Sequence, residues 1–384
     1  MLTNAHVVWP HERIRVTFAP HLEFVDVPVK AVDVDGDLAL VGPLTETGRR
    51  PLRVVSPDGL PIGSEVFLLG YPGEVEKFPE PAITRGILSR VRESGFENLT
   101  FLQSDATIVG GQSGGALVSA TGDVIGISGL IGIEQFALVL SGADVLARIP
   151  NITSAPSPLA RSLKAPPPSM KQSARFEPAK AQAAWFFQAN DGDHVTIESD
   201  DALLEVFDSD LAQNELLGDG TYRFDIGGPH VVVANYDEAE QAVVESDREL
   251  TPFVDPDDGR FITVGTNVHG VIDYPRDEDR YVLELEAGQR VYVRVDGVLD
   301  ALCSVFEEDG VEELVGARVA EGGLGMSADL NFEAPRSGKF VISVAEANPE
   351  GPAGYRLTVT PSERSARSIR RQPSDGGVRR RPTP

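Results

Sequence analysis

The chain is 384 residues long and carries a formal charge of −25, from 59 acidic and 34 basic side chains. That excess of carboxylates repels phosphate backbones and excludes nucleic acid as a partner, while a single cysteine, Cys303, excludes an intrachain disulfide. No run approaches the roughly 18 apolar residues of a membrane span, and the length suffices for two or three domains with cores of their own.

The first 150 residues predict strands almost throughout. Arg13–Phe18 and Phe24–Val29 alternate, and Glu65–Leu69 does so in part. Leu117–Ala120 and Val124–Ile127 flank Thr121-Gly122-Asp123, a good hairpin turn. Phe136–Leu140 predicts another strand, and the apolar spacing of Ala143–Ile149 predicts a short closing helix. Residues 151–172, with Pro166-Pro167-Pro168, have the composition of a semi-extended linker. Two β-rich blocks follow, at 173–250 and 261–361, with short strands between Gly/Asp turns that predict antiparallel sandwiches. Residues 362–384 carry seven arginines without sustained periodicity and predict a disordered tail.

The chemistry is concentrated in three fragments: Thr3-Asn4-Ala5-His6-Val7-Val8, Gly36-Asp37-Leu38-Ala39-Leu40 and Gly111-Gln112-Ser113-Gly114-Gly115. A serine hydroxyl is a weak nucleophile until a histidine takes its proton, and the histidine needs a carboxylate to fix its tautomer. Glycines beside the serine let backbone N–H groups converge on one point, as an oxyanion hole requires.

These residues, with Leu69-Gly70-Tyr71-Pro72-Gly73, Thr84–Ser89, Gln103–Ala106 and Gly122–Ile127, resemble the trypsin-like serine proteases of the HtrA/Deg type over about residues 2–149. The resemblance implies a double β-barrel, with His6 as general base, Asp37 as its orienting carboxylate and Ser113 as nucleophile. The N–H groups of Gly111 and Ser113 would hold the oxyanion. It implies a specificity pocket walled by Ala106, Thr107, Ile108 and Val109 and by Gly126, Ile127, Ser128 and Gly129. These are small or aliphatic and include no carboxylate, so small and medium aliphatic residues are expected before the cut. The chain departs from the family in having Val109-Gly110-Gly111-Gln112 where Asn-Pro-Gly-Asn is usual, and no PDZ domain is recognisable. Because Thr-Asn-Ala-His falls at the first residues, the first barrel is expected to lack its initial strands and to expose an edge. The later β block resembles the bacterial pre-peptidase C-terminal module, and the earlier one a degenerate copy of it.

The expectation is therefore a mainly β, exported serine endopeptidase acting on polypeptides, with no cofactor and no metal. The alternative is an inactive protease-like scaffold whose β modules bind protein, surfaces or carbohydrate. Gln112 and Asp105 are expected to set loops, and His11 and His21 to be solvated. His194, His230 and His269 have no partner at zinc-ligand spacing. The runs Asp255–Gly259 and Asp277–Asp279 have enough oxygens to hold calcium, but they lack the ordered spacing of an EF-hand and are expected to form a solvated face. Cys303 alternates with apolar positions and is expected inside a strand.

Overall fold

The computed structural model describes residues 1–362 apart from 9–10, 19–21, 46, 74–79, 95, 132–135, 153–167, 177–181, 201, 208–215, 219, 226, 236–240, 298–300, 319–326 and 347–351. His21, most of the proline-rich segment and the arginine tail fall outside these residues.

The architecture is mainly β, as expected. Four strands open the chain: β1 (Leu2–Thr3), β2 (Arg13–Phe18), β3 (Leu22–Asp33) and β4 (Leu38–Val41), with one turn of helix, α1 (Ala5–Val8), after β1. They form an open antiparallel sheet in the order β1-β4-β3-β2, a half-barrel. Val8, Val16, Val27, Ala39 and Val41 fill its concave side. The pairing of Leu2 with Leu40 and Thr3 with Ala39 has a direct functional consequence. In an antiparallel pair, the residues after Thr3 run beside the residues before Ala39, so His6 is carried to Asp37.

The next six strands are β5 (Glu65–Gly70), β6 (Ala82–Glu93), β7 (Thr100–Thr107), β8 (Ala116–Ser119), β9 (Val124–Ile131) and β10 (Phe136–Ser141). They close into a barrel in the order β10-β7-β6-β5-β8-β9. Alternate residues point inward, among them Val66, Leu68, Leu102, Leu117, Ile125 and Val139. Each such buried aliphatic side chain contributes about 1.5–3 kcal/mol. Helix α2 (Gly142–Arg148) follows at once, its first turn capped by Ser141 Oγ accepting from Ala143 N–H at 3.2 Å.

The linker ends sooner than its composition predicts, because Ser169–Arg175 is already a strand paired with Gln241–Pro252. Its polar residues are compatible with an edge position. The first accessory unit is an eight-stranded sheet, not two separate sheets. The long strand Gln241–Pro252 pairs with His194–Ser199 and, through its last residues, with Gln182–Ala189, joining the two layers. The unbroken apolar run Ala183–Phe187 then has a reason. Trp185 and Phe187 enter the unit's own core, while Ala184 and Phe186 face Phe253 and Tyr274.

The second unit is the expected sandwich, a five-stranded sheet packed on a four-stranded one. Cys303 is fully buried in its strand, and burial pushes its thiol up to about 12, which leaves it unreactive. The expectation of a solvated acidic face is overturned here: Asp257, Asp273, Asp277 and Asp279 are all buried.

Two histidines are placed where units meet. His11 lies against Gly228 of the first accessory unit instead of in solvent. His269 has a partner far away in sequence, its Nε2 standing 2.8 Å from Asp35 Oδ1 in the turn that precedes Asp37. Nearby, Arg356 pairs with Glu97 at 2.7 Å and Arg148 with Asp33 at 2.8 Å. The hydrogen bond to Asp35 raises the affinity of His269 for its proton, with further attraction from Asp35, Asp257 and Glu97 outweighing the opposing effect of burial. The folded-state value therefore lies above the ordinary 6.5. The contact stabilises fully below that ordinary value and loses its contribution as pH rises through the raised one. Melting curves should accordingly separate wild type from His269→Ala most at mildly acidic pH and converge at alkaline pH. A separation that does not change with pH would show that His269 acts only by packing.

Candidate active site

His6 sits on α1, whose four residues place its ring over the turn that carries Asp37. Nδ1 lies 2.9 Å from Asp37 Oδ2 and 3.1 Å from Oδ1, and the His6 backbone N–H also donates to Oδ1 at 3.1 Å. Both side chains are about 15% exposed, so the pair is shielded without being sealed. A carboxylate accepts and does not donate, so Nδ1 carries the proton and Nε2 keeps its lone pair as a base. Asp37 adopts φ 48°, a left-handed conformation that aspartate tolerates better than most residues.

Asn4 couples this pair to the serine loop. Its Nδ2 donates to the Asp37 carbonyl at 2.8 Å, and its Oδ1 accepts from the Gly114 backbone N–H. Asn4 is buried and was not singled out from sequence beyond its place in the Thr-Asn-Ala-His string. Its role depends on bridging segments 110 residues apart, which no local signal records.

The serine loop joins β7 to β8. Gln112 is buried, its Oε1 accepting from Val109 N–H at 2.9 Å, which fits the loop-setting role expected of it. Ser128 Oγ donates to the Gln112 carbonyl at 2.8 Å, and the Gly114 N–H also reaches the Ser128 carbonyl at 2.8 Å. Asp105, by contrast, lies within β7, and its Oδ1 accepts from Ile87 N–H at 2.7 Å. Gly111 has φ 88°, and a Cβ there would fall 2.3 Å from Gly73 N, so both conformation and space demand glycine. The Gly110 carbonyl accepts from Gly73 N–H at 2.9 Å. Since C=O and N–H of one trans peptide point opposite ways, the Gly111 N–H is turned away from Gly73.

Ser113, Gly111 and Gly114 line an open cleft of about 1730 Å³. Thr3 and Tyr71 also line it, as do Asp191, Asp225 and Gly227 of the first accessory unit. The residues expected to wall the specificity pocket do not line this cleft. Ala106, Ile108, Ile127 and Ser128 are buried in the barrel, while Thr107 and Val109 are exposed. Gly126 and Gly129, expected in the pocket wall, are also closely packed. A Cβ on Gly126 would meet the Leu140 carbonyl and Val139, and one on Gly129 would meet Asn4 and Asp37. Gly129 thus permits close approach behind the His–Asp pair.

Comparison with known proteins finds likenesses over the first third of the chain. Residues 1–127 match the model of the trypsin-like peptidase domain. Among curated relatives, the chain is 34% identical over 136 residues to serine protease HTR4 of Bos taurus, covering 34% of this chain and 27% of that protein. It is 32% identical over 133 residues to the periplasmic serine endoprotease DegP of Salmonella typhimurium, covering 33% and 26%. The matched segment therefore spans about a quarter of the length of these relatives. A solved structure of the HtrA-type protease AlgW with a decapeptide is 27% identical, covers 39% of this chain and 48% of its own, and has a TM-score of 0.34. Among the described residues, no helix is long and apolar enough to cross a membrane.

Proposed function

We propose that this protein is a serine endopeptidase that hydrolyses polypeptides through an acyl-enzyme. The observation that carries the proposal is the His6–Asp37 pair, linked through Asn4 to the loop of a cleft-lining Ser113. The match of residues 1–127 to the trypsin-like peptidase domain supports it. Ser113 Oγ attacks the scissile carbonyl carbon while His6 Nε2 takes its proton, and the N–H groups of Gly111 and Ser113 stabilise the oxyanion. His6 then gives the proton to the leaving amine as the C–N bond breaks. Water, activated by the same nitrogen, attacks the ester carbon and releases the acid and free Ser113. Asp37 stays ionised throughout and stabilises the imidazolium. The periplasmic location in the name of the DegP relative supports an exported enzyme.

The test is covalent labelling of the full chain by a fluorophosphonate probe, with the modified peptide mapped by mass spectrometry. Labelling confined to Ser113 supports the proposal. An unlabelled, folded protein favours the alternative of an inactive scaffold with binding modules.

For specificity, the reading rests on the family resemblance alone, in which the pocket positions 106–109 and 126–129 carry no carboxylate to pair with a lysine or arginine. In a peptide-library digest we expect broad cleavage after Val, Ala, Leu and Ile. A dominant preference for Arg or Lys would overturn this reading of the pocket.

A further inference from the structure

Five aspartates converge where the two accessory units join. Asp255 and Asp257 lie on the segment that leaves the strand Gln241–Pro252, and Asp273, Asp277 and Asp279 surround the turn entering the strand Glu278–Leu285. One carboxylate oxygen from each of Asp255, Asp273 and Asp277 lies within 4.8 Å of the others, and the same holds for Asp255, Asp257 and Asp279. Oxygens bound to one calcium ion at about 2.3–2.6 Å are at most about 5 Å apart, so both groups fit around a cation.

Proximity of acids alone would not distinguish a site from a charged surface; burial and hydrogen bonding do. Asp277 is 1% exposed and Asp279 0%. Each has one satisfied oxygen: Asp277 Oδ2 accepts from Asp273 N–H at 2.6 Å, and Asp279 Oδ2 from the Tyr355 hydroxyl. Their other oxygens, Asp277 Oδ1 and Asp279 Oδ1, are buried with no hydrogen-bond partner. An unmatched buried carboxylate oxygen is costly, and two in one cluster are more so. Arg260 reaches the cluster at Asp257, 3.1 Å away, and so offsets part of its charge.

We propose that these aspartates form a calcium site, with Asp277 Oδ1 and Asp279 Oδ1 as inner ligands and Asp255 shared between the two groups. The donors are all carboxylate oxygens with no histidine or thiolate, which selects a hard cation over zinc. The density of carboxylates favours calcium over magnesium, which keeps several waters and a strict octahedron.

The site also has a structural consequence. Two residues before Asp255, Phe253 packs edge-on against Phe186 of the first accessory unit, with centroids 5.7 Å apart, and against Tyr274 of the second, at 5.5 Å. An ion held by Asp255 and Asp277 clamps the connecting segment to the second unit across this aromatic contact. Calcium thus fixes how the two units sit together.

The experiment uses the full chain stripped with a chelator and then titrated with calcium, with magnesium, or with terbium as a luminescent calcium substitute. We expect saturable calcium binding by calorimetry and terbium emission sensitised by Tyr274, Tyr281 and Tyr355. Melting temperature should rise by about 5–10 °C at free calcium a hundredfold above Kd. Asp277→Asn and Asp279→Asn should abolish these responses. Because each removes a buried unmatched charge while preserving shape, the chelated variants should melt at or above the chelated wild type, which separates lost binding from lost folding. Melting indifferent to calcium and chelator, equal terbium emission from wild type and both variants, or a response to magnesium alone would each overturn the proposal.

Discussion

Replacing Ser113 by alanine should abolish fluorophosphonate labelling and lower kcat for peptide hydrolysis by about 10⁶-fold. Ser113 lines the cleft, and its loop is tied through Asn4 to the His6–Asp37 pair. What survives is the contribution of binding and of the oxyanion N–H groups, about 10³–10⁴-fold over water. The substitution removes one exposed-side oxygen from a loop held by Gln112, Ser128 and Asn4, so the melting temperature should stay within a degree or two of wild type. Residual labelling of the alanine variant at another residue would place the nucleophile elsewhere.

Asp37→Asn should cost about 10⁴-fold in kcat while KM changes little. The amide can still fill the space beside His6, but it can donate to Nδ1 and so stabilise the tautomer with its proton on Nε2. That tautomer cannot accept the serine proton. The loss should shrink as pH rises and hydroxide competes as the base, whereas Ser113→Ala should stay flat with pH. A variant retaining more than about a tenth of wild-type activity would mean that Asp37 only packs against His6.

The local patterns of this chain were legible because they depend on near neighbours. Alternation in Arg13–Phe18 and Glu65–Leu69 marked strands, and Thr121-Gly122-Asp123 marked a hairpin turn. The apolar run after Phe136 marked a strand that leads directly into a capped helix. Cys303 was readable as a core residue from the apolar alternation around it. These signals survive in one dimension because a strand's period and a turn's backbone needs are set within a few residues.

The misread features share a different origin. A lone acidic run looks solvated, yet Asp277 and Asp279 are buried because two segments about twenty residues apart fold onto each other. Gly126 and Gly129 were expected to wall the pocket, but the missing side chains make room for Val139, Asn4 and Asp37. The contact of His269 with Asp35 could not be read because the two are 234 residues apart.

By itself, then, the sequence determined the chemical types and their order: a histidine, an aspartate and a glycine-flanked serine among β strands, with acidic β blocks behind them. Only the tertiary structure decided which of those groups meet. The β1–β4 register brings His6 to Asp37, Asn4 bridges to the serine loop, and the junction of the accessory units gathers five carboxylates, four of them buried. The physical reason is that burial, hydrogen-bond partnership and charge density belong to the packed chain, where long loops are closed and solvent is excluded, and not to any window of residues.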